Sequence, residues 1–283
     1  MLRPLPLHRY EFAPLFGRVI EQVDNNLMVM QLVEEIAPKH GLRALLAEKP
    51  FAGINGSGKH NNWSIATFEG TQLLNPGNCT QGFNGDFRIF PITMAAIISA
   101  VDEYGDLMRM SIACPGNDYR LGGMEAPPAI MTAHLGEHLT KYLTEFIAGD
   151  IKPYAPAGKS IDLGVDYLPN VELPPEDRNR TSPFPYGGHR FEFRACGSSQ
   201  NVSIVNTVLS SMVAYEFKQM ADRIEKGEDA VAVAQDMLTK HMRVVHNGDG
   251  YSEVCMPSHA CLQVHARMSF GGIRSRGAAS ASH

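Results

Sequence analysis

The run Arg190-Phe191-Glu192-Phe193-Arg194-Ala195 alternates strictly between charged and apolar residues. A period of two puts Phe191, Phe193 and Ala195 on one face of an extended chain and Arg190, Glu192 and Arg194 on the other. That is the pattern of an antiparallel strand with one covered side. On rigid backbone, two guanidinium groups around a carboxylate offer forked donors to phosphate oxygens and an acidic ligand to a cation. The same three charges also suit ordinary cross-strand ion pairs. Tyr10-Glu11-Phe12 repeats the alternation, with Glu11 opposite two aromatic neighbours.

Outward from these strands the period changes to that of a helix. Residues 17–39 carry Ile20, Val23, Leu27, Met30, Val33 and Ala37 at three- and four-residue steps, and Gly41 follows as a stop. A second helix is expected from Pro127-Pro128 to Gly149, with Met131, Leu135, Leu139, Leu143 and Phe146 on one stripe. A third covers 202–226, capped by Asn201, with Val205, Val208, Leu209, Met212 and Val213 facing inward. A fourth covers 230–246 and stops at Asn247-Gly248. Residues 42–46 read as a short strand, and the Pro-rich stretch 153–179 as a long surface loop. There is no internal repeat.

Composition narrows the function classes. The 283 residues are 44% hydrophobic, enough for a buried core, and carry a net charge of -5. No broad basic face for nucleic acid and no polybasic run for an anionic membrane is present. The longest apolar run, 89–101, is broken by Pro91 and Thr93 and falls short of the roughly 20 residues that span a bilayer. The opening Met1-Leu2-Arg3-Pro4-Leu5-Pro6-Leu7 lacks the apolar core of a secretory signal. Five scattered cysteines fit reduced thiols better than a disulfide framework. The expectation is a cytoplasmic protein with neither a nucleic-acid nor a membrane partner.

The richest motif is Lys49-Pro50-Phe51-Ala52-Gly53-Ile54-Asn55-Gly56-Ser57-Gly58-Lys59-His60-Asn61-Asn62-Trp63-Ser64. Gly53 to Lys59 nearly spells a phosphate-cradling P-loop. However, His60 stands where a Mg²⁺-binding hydroxyl belongs, and no apolar strand ending in Asp supplies a second anchor. The stretch instead closely resembles the glutamine synthetase motif, K-P-x followed by N-G-S-G-x-H-x-x-x-S. Other segments are similar to that family in the same order. Tyr10-Glu11-Phe12-Ala13-Pro14 resembles its metal-binding strand. Asn117-Asp118-Tyr119-Arg120-Leu121-Gly122-Gly123-Met124-Glu125-Ala126-Pro127 resembles its flap. Asp177-Arg178-Asn179-Arg180-Thr181-Ser182-Pro183-Phe184 and Arg190-Phe191-Glu192-Phe193-Arg194 resemble its arginine-rich motifs. Gly58 to Ser64 and Gly197-Ser198-Ser199-Gln200 are similar to the type III subgroup, and the resemblance covers about 9–252.

That resemblance implies an α+β catalytic core, a curved, mostly antiparallel sheet backed by helices. It implies ligation of ammonia to the γ-carboxylate of glutamate with ATP, through γ-glutamyl phosphate, and two divalent ions, Mg²⁺ or Mn²⁺. The implied metal ligands are Glu11, His60 and Glu192. Asn55, Gly56 and Arg120 would bind substrate, and Asn62, Ser64 and Arg190 the nucleotide. Glu125 would take a proton from ammonium, with Arg180 and Arg194 acting on the transferring phosphoryl group. Beyond glutamate, ammonia and ATP, the implied partner is a further copy of the chain in a ring-shaped homo-oligomer.

The family's N-terminal β-grasp domain has no counterpart ahead of Glu11. The expected organisation is therefore a catalytic domain over 1–253, truncated on its N-terminal side, and a disordered or divergent tail over 254–283. The alternative is a non-catalytic homologue or fragment that keeps the scaffold and binds nucleotide or subunits. Within the tail, Cys255, His259, Cys261 and His265 are too tightly spaced for a zinc finger.

Overall fold

The computed structural model describes residues 10–123, 125–156, 159–161, 171–173 and 181–248. In chain order its elements are α1 (Val19–Ile36), β1 (Gly58–Trp63), α2 (Pro76–Gly82), α3 (Ile89–Glu103), α4 (Gly105–Ser111) and α5 (Pro115–Arg120). They continue with β2 (Ala133–His134), α6 (Gly136–Ile147), β3 (Lys159–Ile161), β4 (Val171–Leu173), β5 (Phe184–Pro185), β6 (Phe191–Gly197), α7 (Ser203–Glu225) and α8 (Ala230–His241). Single 3₁₀ turns, Ala37–His40 and Met242–Val244, extend α1 and α8.

The run that reads only as a broken apolar stretch is α3, the centre of the molecule. Eleven of its residues are buried, from Phe90 to Val101 with Ile92 excepted, and Pro91 is accommodated in the first turn. A helix that is apolar all round must be covered on every side. Here α7 and α8 cover it, and α2 and α4 close its ends. Each buried Ile, Met or Phe contributes roughly 1.5–3 kcal/mol.

The strands pair two by two: β1 with β6 and β3 with β4 antiparallel, β2 with β5 parallel. The chain therefore adopts the α+β class expected. Phe191 and Phe193 of β6 point into the core, where Phe184 stacks on Phe191 at 4.5 Å and meets Phe193 edge-on at 5.9 Å between ring centroids. The Tyr186 hydroxyl donates to the Leu74 carbonyl and ties this aromatic cluster to the stretch before α2.

Several expectations change in position. α6 begins at Gly136, not at Pro127, because Ala133–His134 is taken up by β2 and the N–H groups of Leu135 and Gly136 donate to Asn247 Oδ1. Residues 42–46 are a connection, not a strand, and the Leu46 carbonyl is occupied by Ser198 Oγ. The fourth helix ends at His241, and the 3₁₀ turn follows it. Within 153–179, β3 and β4 pair with one another. α1 forms where expected and stops at Gly41, whose φ of 70° a glycine adopts without strain. Yet none of its residues is buried, because the core is already filled by α3, α7 and α8. Its half-buried side reaches the body through hydrogen bonds from Asn201 Nδ2 to the Val23 carbonyl and from Lys59 Nζ to Met30 Sδ. The 254–283 segment and its Cys/His motif lie outside the described residues. No helix among the described residues is long and apolar enough to cross a membrane.

This packing makes a contrast that denaturation can read. Ile97→Ala, at a fully buried site in α3, should cost about 2–5 kcal/mol in urea unfolding. Leu27→Ala on the exposed part of α1 should change stability by no more than about 0.5 kcal/mol. Equal losses would show that α1 is packed as tightly as α3.

Candidate functional site

The β1–β6 pair sets the geometry. Asn62 lies opposite Glu192 and Asn61 opposite Phe193, while Lys59 lies opposite Cys196, so His60 faces two residues of β6, Arg194 and Ala195. This bulge sits in the middle of the charged face and bends the strand there. Along β1 the odd-numbered residues turn away from that face. Lys59 donates to the carbonyls of Ser198 and Gln200, Asn61 exchanges side-chain hydrogen bonds with Asn206 of α7, and Trp63 enters the core. The even-numbered residues are left with Arg190, Glu192 and Arg194.

On this face His60 Nδ1 is 3.1 Å from Glu192 Oε1, and Arg194 Nε is 3.3 Å from the same oxygen. Arg190 Nε donates to Asn62 Oδ1 at 2.8 Å, and Arg190 Nη1 is 2.9 Å from His189 Nε2. Ser64 Oγ lies 3.1 Å from the His189 carbonyl and 3.0 Å from Gln72 Oε1, two acceptors for its one proton, at the same end of the pair. The hydrogen bond from His60 holds the Glu192 carboxyl below its ordinary range. The positive charges of His60, Arg194 and Arg190 act the same way, against the opposing effect of burial. Glu192 is thus favoured as an anion beside the Arg194 and Arg190 guanidinium groups.

Gly58 belongs to the same alternation as His60 and Asn62. A Cβ built there would stand 2.6 Å from the Arg120 Cζ, which puts the Arg120 guanidinium against the His60 side of this end of the strand. The need for glycine is stricter at Gly56, where a Cβ would meet Arg120 Cγ at 2.7 Å and the backbone carbonyl of Glu48 at 2.8 Å. Arg120 is buried: its Nε donates to Asn117 Oδ1 and its Nη2 to the Cys196 carbonyl. Asn117, fully buried, donates in turn to the carbonyls of Ile112 and Ala195 and fastens α5 to β6.

Sequence reasoning missed the support under this loop. Glu48 is 3% exposed, and its Oε1 accepts from the Ser199 N–H and hydroxyl at 2.9 and 2.6 Å. Its backbone carbonyl accepts from the Ser57 N–H. Lys49 Nζ donates to the Ile54 carbonyl, closing the loop that carries Asn55 and Gly56. The only available signal was a lone carboxylate just ahead of Lys49-Pro50. Nothing in a single sequence shows that such a group is buried.

Of the remaining expected site residues, Glu125 and Glu11 belong to segments outside the β1–β6 pair. Glu125 sits in the turn after α5, at a φ of 60° that a non-glycine residue rarely adopts, next to the Gly122–Pro127 backbone hydrogen bond. Glu11 is exposed and makes no hydrogen bond or ion pair with a described residue. Its segment does run past the site, since the Phe16 ring lies 6.4 Å from that of His189. Arg180 lies outside the described residues.

Residues 8–87 match the family model of the glutamine synthetase catalytic domain. Over 252 residues, 86% of this chain and 34% of the relative, the sequence is 45% identical to the type-3 glutamine synthetase of Dictyostelium discoideum. The chain belongs to the glutamine synthetase family. It is also 38% identical to the glutamine synthetase of Butyrivibrio fibrisolvens over 256 residues, 87% of this chain and 35% of that protein. A shorter match, 30% over 98 residues, joins it to a glutamate–isopropylamine ligase of a Pseudomonas species and covers 33% of this chain and 21% of the ligase. The chain spans about a third of the length of the curated glutamine synthetases it matches over most of its residues.

The lowered pKa of Glu192 has a measurable sign. A carboxyl depressed in the folded state contributes stability above its unfolded value, about 4.3 for glutamate, and loses that contribution as pH falls through the folded value. Removing the first cause with His60→Ala should raise the Glu192 pKa, read by carboxyl ¹³C chemical shift. It should also reduce the stability advantage that the parent holds between pH 4 and neutrality. An unshifted Glu192 titration in the variant would show that the His60 contact does not hold this charge.

Proposed function

We propose that this chain forms part of an ATP-dependent ligase that joins ammonia to the γ-carboxylate of glutamate. The meeting of His60 and Glu192 on paired strands, with Arg194 and Arg190 beside them, is the observation that supports it. The reaction has two steps. The γ-carboxylate attacks the γ-phosphorus of ATP and releases ADP. Ammonia then attacks the acyl carbon of γ-glutamyl phosphate and expels phosphate. The first step brings anions together, so fixed positive charge around the transferring oxygens lowers its barrier.

In this reading His60 and Glu192 hold a divalent ion, Mg²⁺ or Mn²⁺, and Glu11 belongs to a second. One imidazole nitrogen and one ionised carboxylate oxygen, converging at 3.1 Å, are a donor set that fits such an ion. A bound cation would supply charge neutralisation and orientation of phosphate oxygens. Arg194, mostly covered and anchored on Glu192, presents a guanidinium that cannot lose its charge. Arg180 would act beside it on the phosphoryl group. Arg190, Asn62 and Ser64 form a polar row for the nucleotide. Asn55 and Gly56 line the glutamate side, and Arg120 would hold the α-carboxylate once the Gly56–Gly58 backbone lifts from it. Glu125, on its left-handed turn, would accept the proton of ammonium.

The proposal extends to residues 1–253 as one catalytic-domain segment of a cytoplasmic homo-oligomer. The exposed Tyr10, Phe12 and Ile20 side chains are in keeping with cover from another protein surface.

Incubation with glutamate, ATP, Mn²⁺ and hydroxylamine should yield γ-glutamyl hydroxamate. Mn²⁺·ATP should bind the chain, and His60→Ala or Glu192→Gln should weaken that binding about tenfold or more. Nucleotide binding without turnover would favour the non-catalytic alternative. Neither binding nor turnover would contradict both readings.

A further inference from the structure

We propose that Glu48 is a positioning residue for glutamate: its buried carboxylate and its backbone carbonyl together set the Gly56–Ser57 backbone against the end of β6. The inference rests on the ligase reading for the ligand that the loop takes. Its geometry uses neither His60 nor Glu192.

Glu48 stands where the loop of residues 49–57 begins. Its backbone carbonyl accepts from the Ser57 N–H at 2.8 Å, so the two ends of the loop meet at one peptide. The same carbonyl oxygen lies 2.8 Å from the place of a Gly56 Cβ, so Glu48 touches both residues at the far end of the loop. Its side chain is buried, and Oε1 takes both the N–H and the hydroxyl of Ser199. The carboxylate is wedged between Gly116 of α5 and Gly197 at the end of β6. A Cβ at Gly116 would stand 2.5 Å from Oε2, and one at Gly197 would collide with Oε1. One residue thus joins the loop, the helix that ends in Arg120 and the turn after β6.

That turn is a fixed base. Ser198 Oγ donates to the Leu46 carbonyl at 2.6 Å, and Lys59 Nζ donates to the Ser198 and Gln200 carbonyls at 2.5 and 2.6 Å. The Gly197 N–H donates to Gln200 Oε1. The loop is therefore anchored on both sides, through 46–48 ahead of it and Lys59 behind it, to the end of the strand that carries Glu192 and Arg194. Its tip, Phe51 to Ile54, is exposed. A loop with an exposed tip and fixed ends takes its alignment from those ends. The length of the Glu48 side chain sets the distance between the Gly56–Ser57 backbone and Ser199. An aspartate there, one methylene shorter, keeps the charge but must draw the loop toward β6 or give up Ser199, and a misplacement of about 1 Å can cost a hundredfold.

The test compares the full chain with Glu48→Asp and with Glu48→Gln, which keeps the length and one acceptor oxygen. In γ-glutamyl hydroxamate synthesis, Glu48→Asp should raise the KM for glutamate about tenfold or more and leave the KM for ATP within about twofold. Glu48→Gln should bring the KM for glutamate back to within about threefold of the parent. Emission of Trp63, the single tryptophan, on β1, should be the same in all three and so report an unmoved strand pair. Equal rises in both KM values, an unchanged KM for glutamate in Glu48→Asp, or no recovery in Glu48→Gln would each overturn the assignment. A parent without turnover would end the ligase reading instead, and amide hydrogen exchange then decides whether Glu48 places the loop. Glu48→Asp should speed exchange at Ser57 and Ser199 about tenfold while the β1–β6 ladder keeps the parent's protection. Acceleration spread over the ladder as well, or none at either serine, would overturn it.

Discussion

The antiparallel pairing of β1 with β6 is the contact on which the rest of the site depends. It joins residues as distant in the chain as Asn62 and Arg190, which are 128 positions apart, and places their side chains on one surface. Its register is doubly fixed. On the covered side, a slip of one residue would turn Phe191 and Phe193 out of the aromatic cluster with Phe184. On the open side, the register sets Glu192 opposite Asn62, next to the bulge at His60, and its Oε1 meets both His60 Nδ1 and Arg194 Nε. Burial of the dry face therefore sets the chemistry of the wet one.

Beneath this surface lies a second layer of buried polar groups. Glu48 braces the Ser199 turn and the Ser57 backbone, Asn117 fastens α5 to β6, and Arg120 fills the space that Gly56 and Gly58 leave open. Glu48, Asn117 and Arg120 each hydrogen-bond to a segment other than their own, and so tie the loop, the strand pair and α5 together. α7, which packs on α3, is tied to β1 by the paired side chains of Asn61 and Asn206.

The two faces of β6 were legible in the sequence because a period of two separates Phe191 and Phe193 from Glu192 and Arg194 without reference to anything else. The partner of that strand was not, since alternation assigns a residue to a face but says nothing about what lies opposite. Only the likeness of the Gly58–Ser64 motif to a known family pointed to His60. α3 went unread as a helix for the opposite reason: with apolar residues on every side, it shows no polar stripe from which a period can be taken. α1 displays such a stripe and forms a helix, yet its apolar residues remain exposed, because periodicity reports a potential to pack and not the presence of a surface to pack against. Glu48 and Asn117, the one a lone carboxylate and the other the head of the flap-like motif, gave no sign of being buried; their roles exist only once separate segments have met.

The central claim is that His60 and Glu192 act as one unit in binding a divalent cation. A double-mutant cycle on Mn²⁺ affinity, comparing the parent, His60→Ala, Glu192→Gln and the double variant, tests it most directly. The account predicts that each single change removes most of the binding and that the double change is scarcely worse than either. Losses that simply add, or a single variant that binds Mn²⁺ like the parent, would contradict it.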